Sequence, residues 1–443
     1  MLHTPLFRLN PSGENSISSA PLATGRALFN WLRRFGFRFW ALYLIVYNLG
    51  GIAFVPGLGF VGWLNYNFWR TVVPWSAREI LRLEKPVTIT FTGSGDTLYN
   101  YVETLCVAAV ALAVALVWVW FDRNRRCDGK LREGTRILVR YILGVTMLSY
   151  GMSKILHQQM PAPMLHQLIA PYSEFSPMGL LWRFMGYSAA YSFFVGLMEV
   201  VGGLLLFFRR TTTLGAIVTS AIMVNVVLMN FCFDVPVKLY SIHLLAFALY
   251  LAAPDFCRLA DLLFWHRAVP SVSFTRNWPT PFVRRGVWMI KAIILGVILY
   301  RGPVERIQAW LKPSRPRPEL YGLYEVKEFI RDDEVLSSAS GVGSRWRRVI
   351  ITEYGVMVDS MDDRRAYYTA TSSLKDHKLT FRTREATPRV FDFTVERTEP
   401  ELLMIEGVLE AHRLTIELRR VDETKFQLLS RGFHWISEFP YNR

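Results

Sequence analysis

Hydrophobic residues form long, nearly unbroken runs before residue 302 and alternate with polar residues after residue 319. Several runs reach the roughly 20 residues that an α-helix needs to cross a bilayer. The aromatic, semi-polar stretch Phe60–Ile80 is more typical of an interfacial or re-entrant segment. The pattern predicts seven spans, over Phe35–Val55, Asn100–Trp120, Ile137–Ile155, Tyr191–Phe208, Leu214–Phe233, Val237–Ala253 and Gly286–Arg301.

The alternation beyond residue 319 has a period of two, which is typical of strands with one buried and one wet face. It is clearest in three runs: Leu379 and Phe381; Phe391, Phe393 and Val395; and Leu414, Ile416 and Leu418. The spacing of the turn signals predicts about eight or nine short strands, forming an antiparallel barrel or sandwich, with a lipocalin-like up-and-down barrel as first choice. Such a barrel holds a small apolar ligand or is filled by its own side chains.

These patterns divide the chain into four parts. Residues 1–34 form a cytoplasmic segment, which we expect to be loosely ordered up to residue 30, and 35–301 form an α-helical transmembrane bundle. Residues 302–318 form a proline-rich linker, and 319–443 form an extracytoplasmic all-β domain. The aromatic terminus Arg431–Arg443 is expected to plug or edge the barrel, with docking on the membrane face as the alternative.

Composition supports a membrane protein, because 51% of the 443 residues are hydrophobic and the mean hydropathy is positive. The formal net charge is +15, but residues 302–443 hold 23 basic and 23 acidic residues. The excess positive charge therefore lies in the membrane region. It is a topology signal with some attraction for anionic lipid, and it predicts no binding of nucleic acid.

The distribution of lysine and arginine between the spans predicts the orientation. Eighteen fall in one alternate set of segments and six in the other. The rich set is 1–40, 121–137, 209–210 and 255–286, and the poor set is 56–99, 156–188 and 233–238. The positive-inside rule then places the N-terminus in the cytoplasm and the β domain outside an inner or plasma membrane, in the periplasm of a Gram-negative cell.

Ionisable residues at membrane depth are costly and normally face the interior of a bundle. Glu199 lies near the middle of the fourth span, and Ser192, Gly196 and Gly203 share its helical face, so it should point at a neighbouring helix. The topology places eight polar residues in the outer half of the membrane: Tyr150, Lys154, Glu199, Asn230, Asp234, Lys238, Tyr240 and His243.

Each of these residues also has a purely structural interpretation. Asp234, two residues before Pro236, is a suitable N-cap for the sixth span and an ion-pair partner for Lys238. Lys154 can extend to the interface, His243 can be a hydrogen-bonded packing residue, and Glu199 can brace a lysine or tyrosine.

Several cofactor signatures are missing from the sequence. A membrane b-type haem needs two axial ligands, and only one histidine lies within the predicted spans. No cysteine and histidine cluster has zinc spacing, and no Walker A or dinucleotide fingerprint occurs. The four cysteines include no CxxC pair, which argues against thiol redox chemistry.

Residues 136–262 resemble the DoxX-like membrane family. The resemblance is carried by Tyr150–Lys154 (YGMSK), Glu199–Gly203 (EVVGG), Arg209–Thr211 (RRT) and Asn230–Lys238 with Asp234 and Pro236. It implies a four-helix bundle of spans three to six, and more distantly it resembles the vitamin K-dependent carboxylase-like bundles. For some members it implies membrane redox or quinone chemistry, as in subunits of thiosulfate:quinone oxidoreductase.

The leading hypothesis is an outer-leaflet cavity that binds a quinone or another amphiphile, in an oxidoreductase subunit. Lys154 and Lys238 would contact an oxygen or anion, and Glu199 and His243 would handle protons. Tyr150 and Tyr240 would hold the ring, with Asn230 and Asp234 beside them. The alternatives are a non-enzymatic scaffold or envelope-assembly factor with structural ion pairs, and a transporter. An extracytoplasmic protein partner would bind the β domain.

Overall fold

The computed structural model describes residues 20–50, 59–87, 89–90, 92–121, 126–270, 280–300, 304–312, 316–337, 345–385 and 387–441. A helical region is followed by a β-barrel. The α-helices that precede the barrel are α1 (Ala20–Tyr47), α2 (Gly59–Trp75), α3 (Leu98–Phe121), α4 (Arg126–Ile155), α5 (Leu165–Leu168), α6 (Pro177–Tyr187), α7 (Ala189–Leu206), α8 (Thr212–Cys232), α9 (Lys238–Ala252), α10 (Phe256–Leu263), α11 (Pro281–Leu299) and α12 (Glu305–Leu311).

Four of the described helical segments are long and apolar enough to cross a membrane: α3, α7, α8 and the continuous stretch Lys238–Leu263. The other predicted spans, Phe35–Val55, Ile137–Ile155 and Gly286–Arg301, overlap α1, α4 and α11. The first lies partly outside the described residues. The stretch Phe60–Ile80 is helical through α2 and ends in a wider π-helical turn at Ser76–Ile80.

The chain divides into two compact units. The first comprises Met1–Met147, Val201–Asn230 and Pro236–Leu299, and the second comprises Leu148–Val200, Phe231–Val235 and Tyr300–Arg443. In the first unit α1 packs along α3, and its buried core includes Leu44, Val107, Leu143 and Phe247. These side chains come from helices far apart in sequence, so the unit is a bundle held by apolar packing.

The barrel of the second unit is a single antiparallel sheet. Its strands are β1 (Gly322–Arg331), β2 (Glu334–Val335), β3 (Trp346–Thr352), β4 (Gly355–Ser360), β5 (Arg365–Ser373), β6 (Lys378–Arg382), β7 (Val390–Glu399), β8 (Leu402–Leu409) and β9 (His412–Arg420). Neighbours in sequence pair in order from β3 to β9, β1 pairs with β3, and β1 also pairs with β9 from Tyr324↔Arg420 to Arg331↔Leu414. The eight longer strands therefore close an up-and-down barrel, as the alternation predicts.

The barrel interior is filled by its own side chains. Leu379, Phe381, Val395 and Ile416 retain none of their surface exposed, and Trp346 retains 5%. Close packing of this kind leaves no room for a ligand beside these side chains. The described residues therefore form a barrel that is filled by its own side chains and not one that holds an apolar ligand.

The segment between α4 and α7 docks on the outside of the barrel. Leu165 of α5 packs against Leu323 of β1, Ile350 of β3 and Met357 of β4. Glu174 forms a 2.5 Å ion pair with Arg365 at the start of β5. Loop 156–188 and the barrel therefore pack together, and their placement relative to the membrane stays a prediction.

The termini and the linker differ in part from expectation. Helix α1 begins at Ala20, inside the segment expected to be loosely ordered, and residues 1–19 lie outside the described residues. The short helix α12 lies inside the predicted linker. The stretch Arg431–Tyr441 does not plug the barrel, because Trp435 is 91% exposed. A short helix, α13 (Gln427–Ser430), precedes it.

Candidate functional site

Lys154 of α4 and Glu199 of α7 form a buried, bidentate ion pair in the second unit. The Lys154 Nζ donates to both carboxylate oxygens of Glu199, at 2.9 Å each. The side chains are only 7% and 2% exposed. The two charges therefore pair with each other in a buried site, which agrees with the interpretation of Glu199 as a brace.

Two glycines bring the helices close enough for this pair. A Cβ added at Gly151 would lie 2.6 Å from the Gly196 carbonyl oxygen, and one added at Gly196 would lie 2.6 Å from the Gly151 carbonyl oxygen. Gly151 also faces Val200, whereas Ile155 faces Gly196, so the helices run antiparallel. Lys154 and Glu199 each follow their glycine by three residues, which places both on the helical faces that make this contact.

The Lys154 ammonium group has an aromatic neighbour on α4, the Tyr150 ring. The Lys154 Nζ lies 5.6 Å from the centre of the Tyr150 ring, within the range of a cation–π contact. Tyr150 itself is 36% exposed, so the ring lies at the edge of the pair. The Lys154 ammonium has three donors, and Glu199 accepts two of them.

His243 of α9 lies in a second polar cluster, in the first unit. Its Nδ1 lies 2.7 Å from the Leu239 carbonyl oxygen, which can only accept, so Nδ1 carries the proton and donates. In the neutral ring Nε2 then accepts from the Tyr43 hydroxyl, 2.5 Å away. Tyr47 stacks on the imidazole at 4.1 Å between ring centres, with the planes 2° from parallel. Both nitrogens and one ring face are thus engaged.

The cluster extends to α3, α4 and the start of α9. The Tyr240 hydroxyl lies 3.3 Å from the Thr146 hydroxyl of α4. Tyr240 and Glu103 of α3 both lie close enough to Tyr47 to interact with it electrostatically, and Glu103 also interacts with Tyr99. Tyrosine hydroxyls, the His243 imidazole and the Glu103 carboxyl group therefore lie near one another in the first unit.

The start of α9 is capped by a residue from elsewhere in the sequence. The Asp96 carboxylate, just before α3, accepts from the backbone N–H groups of Lys238 at 2.8 Å and Leu239 at 2.9 Å. Its Oδ2 also lies 4.0 Å from the Lys238 Nζ. The expectation that Asp234 caps this helix is wrong: the N-cap position is Val237, and Asp234 takes a left-handed backbone with φ 50°. Asp96 supplies the capping oxygens instead.

The eight predicted residues fall in both units. Asn230 donates from Nδ2 to the Val237 carbonyl oxygen at 3.4 Å, which ties the end of α8 to the turn before α9. The first unit holds Asn230, Lys238, Tyr240 and His243, and the second holds Tyr150, Lys154, Glu199 and Asp234. The structure pairs Glu199 with Lys154, which agrees with the structural alternative in which Glu199 braces a lysine or tyrosine. The assembly of all eight residues around one cavity stays a prediction.

Several residues of these clusters are absent from the sequence-based prediction, among them Glu103, Tyr43, Tyr47 and Asp96. Glu103 is an acid inside the predicted span Asn100–Trp120, so the criterion that selects Glu199 also selects it. Tyr43 and Tyr47 are four residues apart in an aliphatic run, which places them on one helical face. Asp96 has no such signal, because its partner lies 142 residues further along the chain.

Comparison with known proteins gives one informative relative. No family model matches the chain, and no solved structure matches it. The uncharacterized protein YwoB of Bacillus subtilis (strain 168) is 33% identical over 140 residues, which cover 29% of this chain and 83% of YwoB. Because most of YwoB aligns at this identity, the chain belongs to the same family as YwoB.

Proposed function

We propose that the chain is a non-enzymatic membrane scaffold that holds a filled β-barrel at the membrane surface. The observation that carries the proposal is the Lys154–Glu199 pair, whose charges satisfy each other bidentately at 2.9 Å and are buried. A binding or catalytic pair must present a donor or acceptor that a ligand can reach, and these two side chains are only 7% and 2% exposed. The glycine contact beside the pair supports a bracing role.

Two further observations support a scaffold. The interior of the barrel is closed to ligands by side chains such as Phe381 and Ile416, so the barrel offers only its outer surface to a partner. The α4–α7 loop fixes that barrel through Leu165 and the Glu174–Arg365 pair. Burial, with Arg183 and Arg365 nearby, lowers the pKa of His166 in this loop, so its imidazole is neutral at pH 7.

The test replaces the ion pair by apolar residues of similar size. We expect the double variant Lys154→Met/Glu199→Leu to insert, fold and support growth of cells that need this protein as the native chain does, because packing takes over the role of the pair. Complementation of a deletion strain and the amount of folded membrane protein are the measurements. A double variant that accumulates normally but fails to complement would contradict the scaffold and indicate a chemical role for the pair.

A second candidate function rests on the first unit. We infer that the Tyr43–His243–Tyr47 cluster binds a quinone or related amphiphile, the ligand class that the DoxX resemblance of residues 136–262 implies for some members. The Tyr43 hydroxyl donates to His243 Nε2 and keeps an oxygen lone pair that can accept from a quinol hydroxyl. His243 would then take up the proton that Tyr43 passes on, and Tyr47 orients the imidazole by stacking.

For this candidate, Tyr43→Phe should weaken binding of a short-chain ubiquinol by the purified full-length protein about tenfold, since the quinol loses one hydrogen bond, which is worth roughly 0.5–1.5 kcal/mol. Tyr250→Phe is the matched control, because the buried Tyr250 hydroxyl of α9 has no hydrogen-bond partner among the described residues. Equal affinity in both variants, or no saturable binding by the native protein, would rule out this cluster as the site.

A further inference from the structure

The C-terminal stretch after the barrel forms a clasped loop. The Arg431 guanidinium lies 4.0 Å from the centre of the Tyr441 ring, and the Tyr441 hydroxyl bonds the Gln427 side chain of α13. These two contacts join the ends of the stretch 431–441, which we call the aromatic loop. The loop is therefore a defined element and not a trailing end.

The tip of the aromatic loop is apolar and uncovered. Phe433 is 78% exposed, Trp435 91%, Ile436 77% and Phe439 82%. Between them lie His434 and Ser437, and Glu438 is the single acid. Four large, exposed apolar side chains within seven residues are unusual on a surface that faces only water. They indicate a contact with an apolar phase.

The base of the loop is attached where a membrane span begins. The Tyr187 hydroxyl, at the last residue of α6, donates to the Arg431 carbonyl oxygen at 3.4 Å. Helix α7, one of the candidate spans, starts two residues later at Ala189. The start of a span marks the boundary between the hydrocarbon and the headgroups, so Arg431 lies near that boundary.

Neighbouring residues form an aromatic band at the same level. Phe184 and Tyr187 of α6 and Tyr191 and Phe194 of α7 are all exposed. Aromatic side chains are enriched at membrane–water interfaces, where the ring meets the acyl chains and polar atoms meet the headgroups. The base of the loop contacts this band at Tyr187, so Phe433, Trp435 and Phe439 would extend it.

We propose that the aromatic loop inserts its tip into the interfacial layer of the phospholipid bilayer and anchors the barrel to the membrane surface. The occupant of the exposed tip is lipid, because the base of the loop lies at the start of α7 and is continuous with the aromatic band there. Each partly buried aromatic residue adds apolar area removed from water, so the loop acts with α6 as an interfacial anchor.

The test compares two labelled positions in the full-length protein. After replacement of Cys106, Cys127, Cys232 and Cys257 by serine, Trp435→Cys or Val408→Cys is labelled with a nitrobenzoxadiazole fluorophore and reconstituted in phosphatidylethanolamine/phosphatidylglycerol vesicles. Val408 is the matched control. It is exposed and lies near the β8–β9 turn, at the opposite end of β9 from the Val421 and Phe426 side chains that pack with Leu165.

We expect lipid carrying a doxyl group near the headgroup to quench the label at position 435 at least about threefold more than the label at 408, and iodide to quench it about threefold less. Equal access of iodide to both positions would overturn the proposal. A label at 435 that is shielded from iodide but not quenched by doxyl lipid would also overturn it, since protein would then cover the loop. Identical elution of both labelled proteins checks that they fold alike.

Discussion

Lys154→Met alone should destabilise the folded protein by about 3–5 kcal/mol, because it leaves the Glu199 carboxylate buried without a cation. Glu199→Leu alone should lower the stability by a similar amount, because it leaves the Lys154 ammonium group buried without an anion. The measurement is thermal unfolding of the full-length protein in detergent micelles. Unfolding is monitored as the fraction of protein that stays monodisperse after heating.

The double variant provides the control for this prediction. Lys154→Met/Glu199→Leu removes both charges and keeps similar volumes, so its stability should return to within about 1 kcal/mol of native, or exceed it. Additive losses in the double variant would mean that each side chain interacts mainly with something other than its partner. The pair would then not brace α4 against α7.

Gly196→Ala should destabilise the same crossing by about 1–3 kcal/mol and weaken the ion pair beside it. The new methyl group would meet the Gly151 carbonyl oxygen at 2.6 Å and the Ile155 backbone nitrogen at 2.9 Å, and neither atom can move without the helix. The helices would have to separate, and the Lys154 Nζ would move away from the Glu199 carboxylate.

Gly134→Ala in α4 is the matched control for the glycine prediction. A Cβ added there meets nothing within 4 Å, so alanine should be neutral or stabilise the helix by up to about 1 kcal/mol through its better propensity. Thermal unfolding of both variants in the same detergent tests the difference. Equal stabilities for Gly196→Ala and Gly134→Ala would show that α4 and α7 do not pack through glycine.

The buried polar residues of the two units favour different roles. In the second unit Lys154 and Glu199 close on each other, which favours a structural role. In the first unit His243 is hydrogen-bonded at both nitrogens, but the Tyr43 hydroxyl that it binds keeps a lone pair. The apolar double variant and the Tyr43→Phe variant separate these roles, because each alters one unit.

Local pattern predicts most of the architecture. The alternation of Leu379, Phe381, Phe393 and Val395 with polar residues fixes which face of each strand is buried, because successive strand residues point to opposite sides. The apolar runs predict the helices α3, α7, α8 and α9, since about 20 apolar residues match the thickness of a bilayer. The helical offset between Gly196 and Glu199 likewise predicts that the carboxylate faces another helix.

The partners of these residues are decided only by the tertiary structure. Asp96 caps α9 in place of the nearby Asp234, because the turn before α9 places Asp234 in a left-handed conformation while the segment before α3 brings a carboxylate to the free N–H groups. Tyr43 reaches His243 across 200 residues of sequence. Closure of β1 on β9 and the filling of the barrel are equally non-local. The sequence by itself determines period, burial and span length, since these depend on neighbours along the chain, whereas which donor meets which acceptor depends on how distant segments pack.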